Sequence, residues 1–282
     1  MKTARLKNIV ITILALLNIF LLILLLSLHA QKWNAYKRSI TQLSLLYENN
    51  NVSLDPSLLP DNTILSLPEL VRDYTAEQSF AESLLGSVTS VDSGGGIYRY
   101  YNAASPANGN CLFRSNGAVY ATVVHEVEDP LRFCSSVCSP FGYTQYTDLS
   151  DGLSRTITAT RTIDDLIVYN CTITFTFSSN TLTSVSGFFI PAVPTESDSV
   201  SLDPITALVR FLDYRNSSGL ICTQIVDISC GYLMQSTASS PLRVDPVIRI
   251  ATDVNSYYVN TAGKVLRETS ASPSVSGALE KS

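Results

Sequence analysis

Hydrophobic positions along this chain follow three successive patterns. From Ile9 to Leu28 they are continuous: sixteen of the twenty residues are Leu, Ile, Val or Phe, and none is charged. At roughly 1.5 Å of helical rise per residue the run covers about 30 Å, the hydrocarbon thickness of a bilayer. Its side chains contribute on the order of −6 kcal/mol toward insertion. The one amide, Asn18, costs less than that even without a partner. A cleavable export signal would carry an apolar run of roughly 7 to 15 residues and small residues at the cut. Here a cut after Ala30 would put Leu28 where a small side chain is needed. The pattern predicts a retained anchor over 9–29, preceded by a short tail, 1–8.

The second pattern is helical. Trp33, Tyr36, Ile40, Leu43 and Leu46 recur at three- and four-residue steps, one apolar face of a helix running to about Tyr47. Trp33 and Tyr36 fall at headgroup depth, where amphipathic rings are favoured. Asn49, Asn50 and Asn51 stop the helix, and Pro56 and Pro60 mark a polar connection. Residues 30–60 therefore read as a juxtamembrane helix and linker. Pro68 then predicts the first turn of a helix ending near Leu85 and Gly86, with Leu70, Val71, Tyr74, Phe80, Leu84 and Leu85 on its core face.

From Gly94 the pattern becomes that of strands. GIYRYY and CLFRSNGAVYATVV flank Asn116-Gly117, a two-residue hairpin signal. Residues 128–152 read as a loop holding at most a short helix. RTITATRTI, LIVYNCTITFTF and LTSVSGFFI follow, the second alternating at Cys171, Ile173, Phe175 and Phe177. PAVPTESDSVSLDP reads as a linker into a helix with Ile205, Leu208, Val209 and Leu212 on its apolar face, ended by Gly219. Three further strand segments close the fold, and 269–282 reads as a disordered tail. A weak repeat is visible: helix, strand, then FRSNGAVYAT in one unit, and helix, strand, then YVNTAGKVLR in the other. The expected class is α+β, an exported ectodomain of two antiparallel-sheet-plus-helix modules at 61–192 (with a central hairpin) and 193–268.

Charge sharpens this picture. The first 38 residues carry six Lys/Arg and no acid; the rest carries 13 Lys/Arg against 24 Asp/Glu, a net of −11. Basic flanks suit lipid headgroups, and an acidic body argues against nucleic acid. Lys2, Arg5 and Lys7 before the span are nearly matched by Lys32, Lys37 and Arg38 after it, so the preference for an amino terminus inside is slight.

Chemistry is sparse. His29 ends the anchor, and His125 in ATVVHEVED lacks the second histidine of a zinc-protease motif. No nucleophile elbow, phosphate loop or dinucleotide fingerprint occurs, so neither catalytic residues nor cofactor, metal or small-molecule substrate is expected. The pairs Asp164-Asp165 and Asp148/Asp151 sit where turns and loops are expected, leaving little for calcium. Sequons at Asn51, Asn170 and Asn216 matter only in a eukaryotic secretory route. Six cysteines, Cys111, Cys134, Cys138, Cys171, Cys222 and Cys230, permit disulfides in 15 full pairings or serve as free buried thiols. In the anchor, Asn18 either finds a polar group on another helix or is satisfied by its own backbone.

The basic tail with LLNIFLL, the helix DPITALVRFLDY, the strand SGLICTQIVDISCGYLM, then DPVIRI and YYVNTAGKV together resemble the YycH/YycI family of membrane-anchored regulators of Gram-positive bacteria. TRTIDDLIVYNCTITF is similar to that family's strand pair with a polar turn. Ile248 stands where the family often has Trp, and six cysteines are more than expected. The resemblance implies a single-pass cell-membrane protein, amino terminus cytoplasmic and bulk extracellular. It implies partnership with a sensor histidine kinase (WalK, also called YycG) and with a related membrane regulator. Leu17, Asn18, Phe20 and Leu21 are the expected helix contacts. The rival readings are an anchored ligand-binding or enzyme-inhibitor domain of the cell envelope, and a thiol enzyme.

Overall fold

The computed structural model describes residues 2–267 except 62, 69, 153, 191–197 and 238–239, with backbone alone for 2–13, 15, 29, 32, 236–237 and 240–241. The expected tail 269–282 lies outside the described residues.

One helix, α1 (Lys2–Asn49), begins the chain. No Gly or Pro occurs in those 48 residues, so nothing in the sequence interrupts the backbone ladder over about 72 Å. Its carboxy-terminal part turns Leu43 and Tyr47 into the body, where both are buried, with Tyr36 and Ile40 half-buried on the same side. Leu46, expected on that face, is 40% exposed, and Trp33 is 54% exposed. Asn51 then takes a left-handed conformation (φ 56°) that turns the chain out of the helix.

The body is mostly sheet. β1 (Thr63–Leu67) precedes α2 (Tyr74–Leu85). Asp73 caps α2, accepting from the backbone N–H groups of Thr75 and Ala76. The cap supersedes the start expected at Pro68, because its carboxylate satisfies two otherwise unpaired amides. Val71, expected in the core, is consequently 70% exposed. A meander follows: β2 (Val88–Asp92), β3 (Ile97–Asn102), β4 (Gly109–Arg114) and β5 (Ala118–Glu126). The β4–β5 turn holds three residues rather than two: Gly117 N–H bonds to Arg114 O, and only Gly117 (φ 82°) is left-handed.

The stretch expected to be a loop is structured. It forms α3 (Pro130–Cys138), capped by Asp129, and β6 (Tyr143–Asp151), which opens a second meander with β7 (Ser154–Ile163), β8 (Leu166–Ser178) and β9 (Thr181–Phe188). β10 (Asp198–Leu202) lies in the expected linker and pairs antiparallel with β1, Thr63 opposite Leu202. α4 (Pro204–Ser218) begins on the Asp203 cap and ends at left-handed Gly219. It buries Ala207, Leu208, Phe211 and Leu212, leaving Val209 36% exposed. A third meander closes the chain: β11 (Ile225–Thr237), β12 (Ser240–Thr252), β13 (Ser256–Asn260) and β14 (Val265–Arg267).

Helix followed by four-stranded meander thus occurs three times. The meanders are joined through β5 and β9, antiparallel, and through β11, which runs parallel to β8 at Val168, beyond the Ile173–Ser178 stretch paired with β9. One contiguous core lies between sheet and helices. Under α2 it is aromatic: Phe80 sits 6.0 Å from Phe113 and 5.1 Å from Phe189. Under α4, Phe211 meets Tyr257 at 5.2 Å.

Candidate partner-binding site

Three regions hold the residues to which function was assigned or around which the domains join. The first is the apolar stretch of α1. From Leu16 on, the helix is apolar enough to cross a membrane, and its side chains there touch nothing in the body. Asn18 Nδ2 donates to Leu14 O at 3.0 Å, so one amide proton is satisfied within the helix. At 3.6 residues per turn, Asn18 and Tyr36 lie about five full turns apart and share a side of α1. Leu43 and Tyr47 lie within about 20° of that side. The exposed amide therefore faces the side on which α4 rests. Leu21, Leu17 and Phe20 lie about 60°, 100° and 160° from it, all to the same side. The four expected contacts thus fall within one arc of about 160°. Trp33 carries Lys37 over its ring at 5.2 Å and lies 6.4 Å from Tyr36. Burial and the carboxylates of Asp61 and Asp203 raise the Tyr36 phenol above its ordinary pKa. Tyr36 is half-buried against the body.

The second region is the seat of α1. The Tyr47 hydroxyl donates to Leu208 O at 2.9 Å, and Asn216 Nδ2 donates to Asn50 Oδ1 at 3.0 Å. α1 and α4 therefore run side by side in the same direction. Beyond the helix, Ser53 N–H bonds to Thr223 O and Ile225 N–H to Ser53 O. The 222–225 segment is fixed in turn by Asp253, whose carboxylate accepts from Thr223 N–H and, at 2.6 Å, from Thr223 Oγ1. These bonds hold the Asp253 carboxyl below the usual carboxylate range.

The third region is the seam between the second and third meanders. Among the described residues, only Val168 and Tyr232 pair in the parallel ladder. Asn170 extends it with its side chain: Nδ2 donates to Met234 O and Oδ1 accepts from Met234 N–H, both at 2.7 Å. A sequon asparagine used this way has no amide to offer a glycan. A Cβ on Gly231 would lie 2.6 Å from Ile167 O and 2.7 Å from the Tyr169 ring. Across the seam, Ser66 of β1 bonds Asp164 and Tyr232, each at 2.9 Å. Asp164 and Asp165, both left-handed, form the β7–β8 turn.

Beside α4 lies a cleft of about 180 Å³. Its floor is Leu202, Ala207, Ile248 and Val259; Asp203, Thr206, Arg210 and Thr261 stand at its rim. Nothing in the sequence marked it, because its walls come from four separate segments.

The remaining candidates are structural. All six cysteines are free, five buried and Cys230 half-buried. Burial pushes the thiols of Cys134 and Cys171 up to about 12 and raises those of Cys111, Cys138, Cys222 and Cys230. Thiols so shifted hold almost no nucleophilic thiolate near neutrality, which disfavours the thiol-enzyme reading. His125 is exposed and lies 5.8 Å from the Phe133 ring. His29's side chain is outside the described residues. Asp148 pairs with Arg155 at 2.6 Å. Sequence reasoning missed the ion pair of Arg72 and buried Glu77 (2.7 and 3.0 Å), with Arg72 over the rings of Tyr74 and Tyr98. Burial raises the Glu77 carboxyl, and Arg72 opposes the shift. Among the described residues no group of three or more His, Cys, Asp or Glu could hold a metal.

No family model matches the sequence, and no curated protein does. Similar solved structures include an uncharacterized protein from Eubacterium rectale, 8% identical over 76% of this chain and 80% of that one, TM-score 0.41. The C-terminal domain of YpeB from Bacillus megaterium is 9% identical over 71% of this chain and 99% of that one, TM-score 0.33. YycH from Bacillus subtilis is 12% identical over 75% of this chain, TM-score 0.43, and this chain spans 54% of its length. Overlaps at these scores leave function to be argued from this chain's own residues.

Proposed function

We propose that this protein is a single-pass membrane regulator without catalysis of its own, amino terminus inside. Its exported body and anchor would together contact a membrane-bound sensor kinase of the WalK type and a related regulator. One observation carries the reading: α1 passes from its apolar stretch into the body without a Gly or Pro and ends on buried Tyr47. A tether needs only an apolar span and a linker. A helix seated at both ends can pass a rotation or tilt between membrane and body, and a partner gripping either end biases the other. The resemblance of the anchor and carboxy-terminal segments to the YycH/YycI family supports the choice of partner. On this reading the body is built of repeated helix-and-meander units, with 61–192 and 193–268 as its two larger divisions.

In-membrane photocrosslinking tests it. A photoreactive residue at Leu17 or Leu21 of the full chain should capture a sensor kinase, and Asn18→Leu should weaken capture. The same residue at exposed Ile23, about 140° from Asn18 and at least 120° from Leu17 and Leu21, serves as the control. If the kinase is absent from every position, the reading fails. An envelope ligand-binding or inhibitor domain would then take its place.

A further inference from the structure

α4 rests on the Asn18 side of α1, and the cleft lies beside α4. Tyr47 bonds Leu208 O and α4 runs in the same direction as α1, so Asp203 and the cleft rim at the start of α4 lie toward the apolar end of α1. The cleft therefore lies nearer the span than Tyr47 does. A chain leaving the bilayer along the Asn18 face emerges beneath α4.

We infer that the cleft receives an apolar side chain flanked by a carboxylate, from the segment of a membrane-anchored partner just outside the bilayer. The inference rests on the membrane reading above and adds a place and a chemistry to it. Size fits one side chain: a cavity of roughly 150 Å³ accepts benzene, and this one is about 180 Å³ over an apolar floor. Charge fits an acid. Arg210 lies along Gly263, whose added Cβ would meet its Nε at 3.3 Å, and makes no hydrogen bond or ion pair among the described residues. Asp203 is already engaged by Ile205 N–H, Thr206 N–H and the Thr206 hydroxyl. The same charge disfavours a second copy of this chain. Its own stretch outside the span carries Lys32, Lys37 and Arg38 and no acid before Glu48. Apolar anchors in pockets ringed by polar groups are the usual focus of binding energy.

The test places the photoreactive residue at exposed Thr261 in the full chain in its native membrane and maps crosslinked peptides by mass spectrometry, with Leu21 as the second position. The expected adduct at Thr261 lies within about ten residues of a membrane span belonging to the polypeptide captured from Leu21. Arg210→Glu should cut the Thr261 adduct about tenfold with the unfolding midpoint unchanged, because Arg210 is exposed. If Leu21 captures a partner while Thr261 captures nothing, a soluble protein or another copy of this chain, the inference falls and the regulator reading stands. An adduct indifferent to Arg210→Glu also overturns it. If Leu21 captures nothing, the regulator reading itself falls.

Discussion

Single residues carry charges and bonds whose removal can be measured. Tyr47→Phe deletes a buried hydroxyl that donates to Leu208 O. It should cost about 1 kcal/mol, read as a lower urea midpoint with unchanged slope. Asp253 titrates in a known direction. Its folded pKa lies below the ordinary value of 3.8, so its contribution to stability is full above about pH 4 and is lost as pH falls through the folded value. Asp253→Asn should therefore lower the unfolding midpoint at pH 6, and the gap to wild type should close toward pH 3. The thiols supply a third measurement. Iodoacetamide at pH 8 should label half-buried Cys230 first, with the five buried thiols reacting only in denaturant, as counted by mass spectrometry. At this scale the sequence was partly legible. Asn18 was recognised as the one amide in the span, and its bond to Leu14 O was one of two readings held open. Arg210, Glu77 and Arg72 gave no signal, because each matters through neighbours that adjoin it only after folding.

Elements were legible where local forces decide them. The apolar amino-terminal helix, the end of α1 near Asn49, α4 between Asp203 and Gly219 and the β7–β9 strands all follow from periodicity and caps. β1 and β10 were missed because each is five residues long and finds its partner more than 130 positions away. α3 and β6 were hidden by Pro130 and Pro140, which read as breakers yet sit in first helical turns, where no amide is required. The unbroken α1 yields an elemental prediction. Gln31→Pro removes a backbone bond and clashes with the preceding turn at a local cost of roughly 3 kcal/mol. On the regulator reading proposed above, the chain should remain in the membrane fraction yet lose its effect on the kinase, measured as autophosphorylation in reconstituted membranes. An unchanged effect would reduce α1 to a tether.

Across the whole molecule the three meanders are joined unequally. β5 and β9 share a long antiparallel ladder, whereas β8 and β11 meet at one backbone pair reinforced by Asn170 and by close approach over Gly231. Gly231→Ala should cost about 1 to 3 kcal/mol. Because it strikes the seam, amide exchange should rise in β11 and β12 before β3 and β4. The β1–β10 ribbon has another consequence, in the order of events during export. On the membrane reading proposed above, the segment next to the span crosses first, so β1 waits for β10, and the buried side of α1 waits for α4, until nearly 200 residues have crossed. Leu43 and Tyr47 stay wet for most of that interval, beside a bilayer that could hold them elsewhere. Chains halted before residue 218 should therefore be found by envelope proteases and chaperones, while the finished protein is passed over.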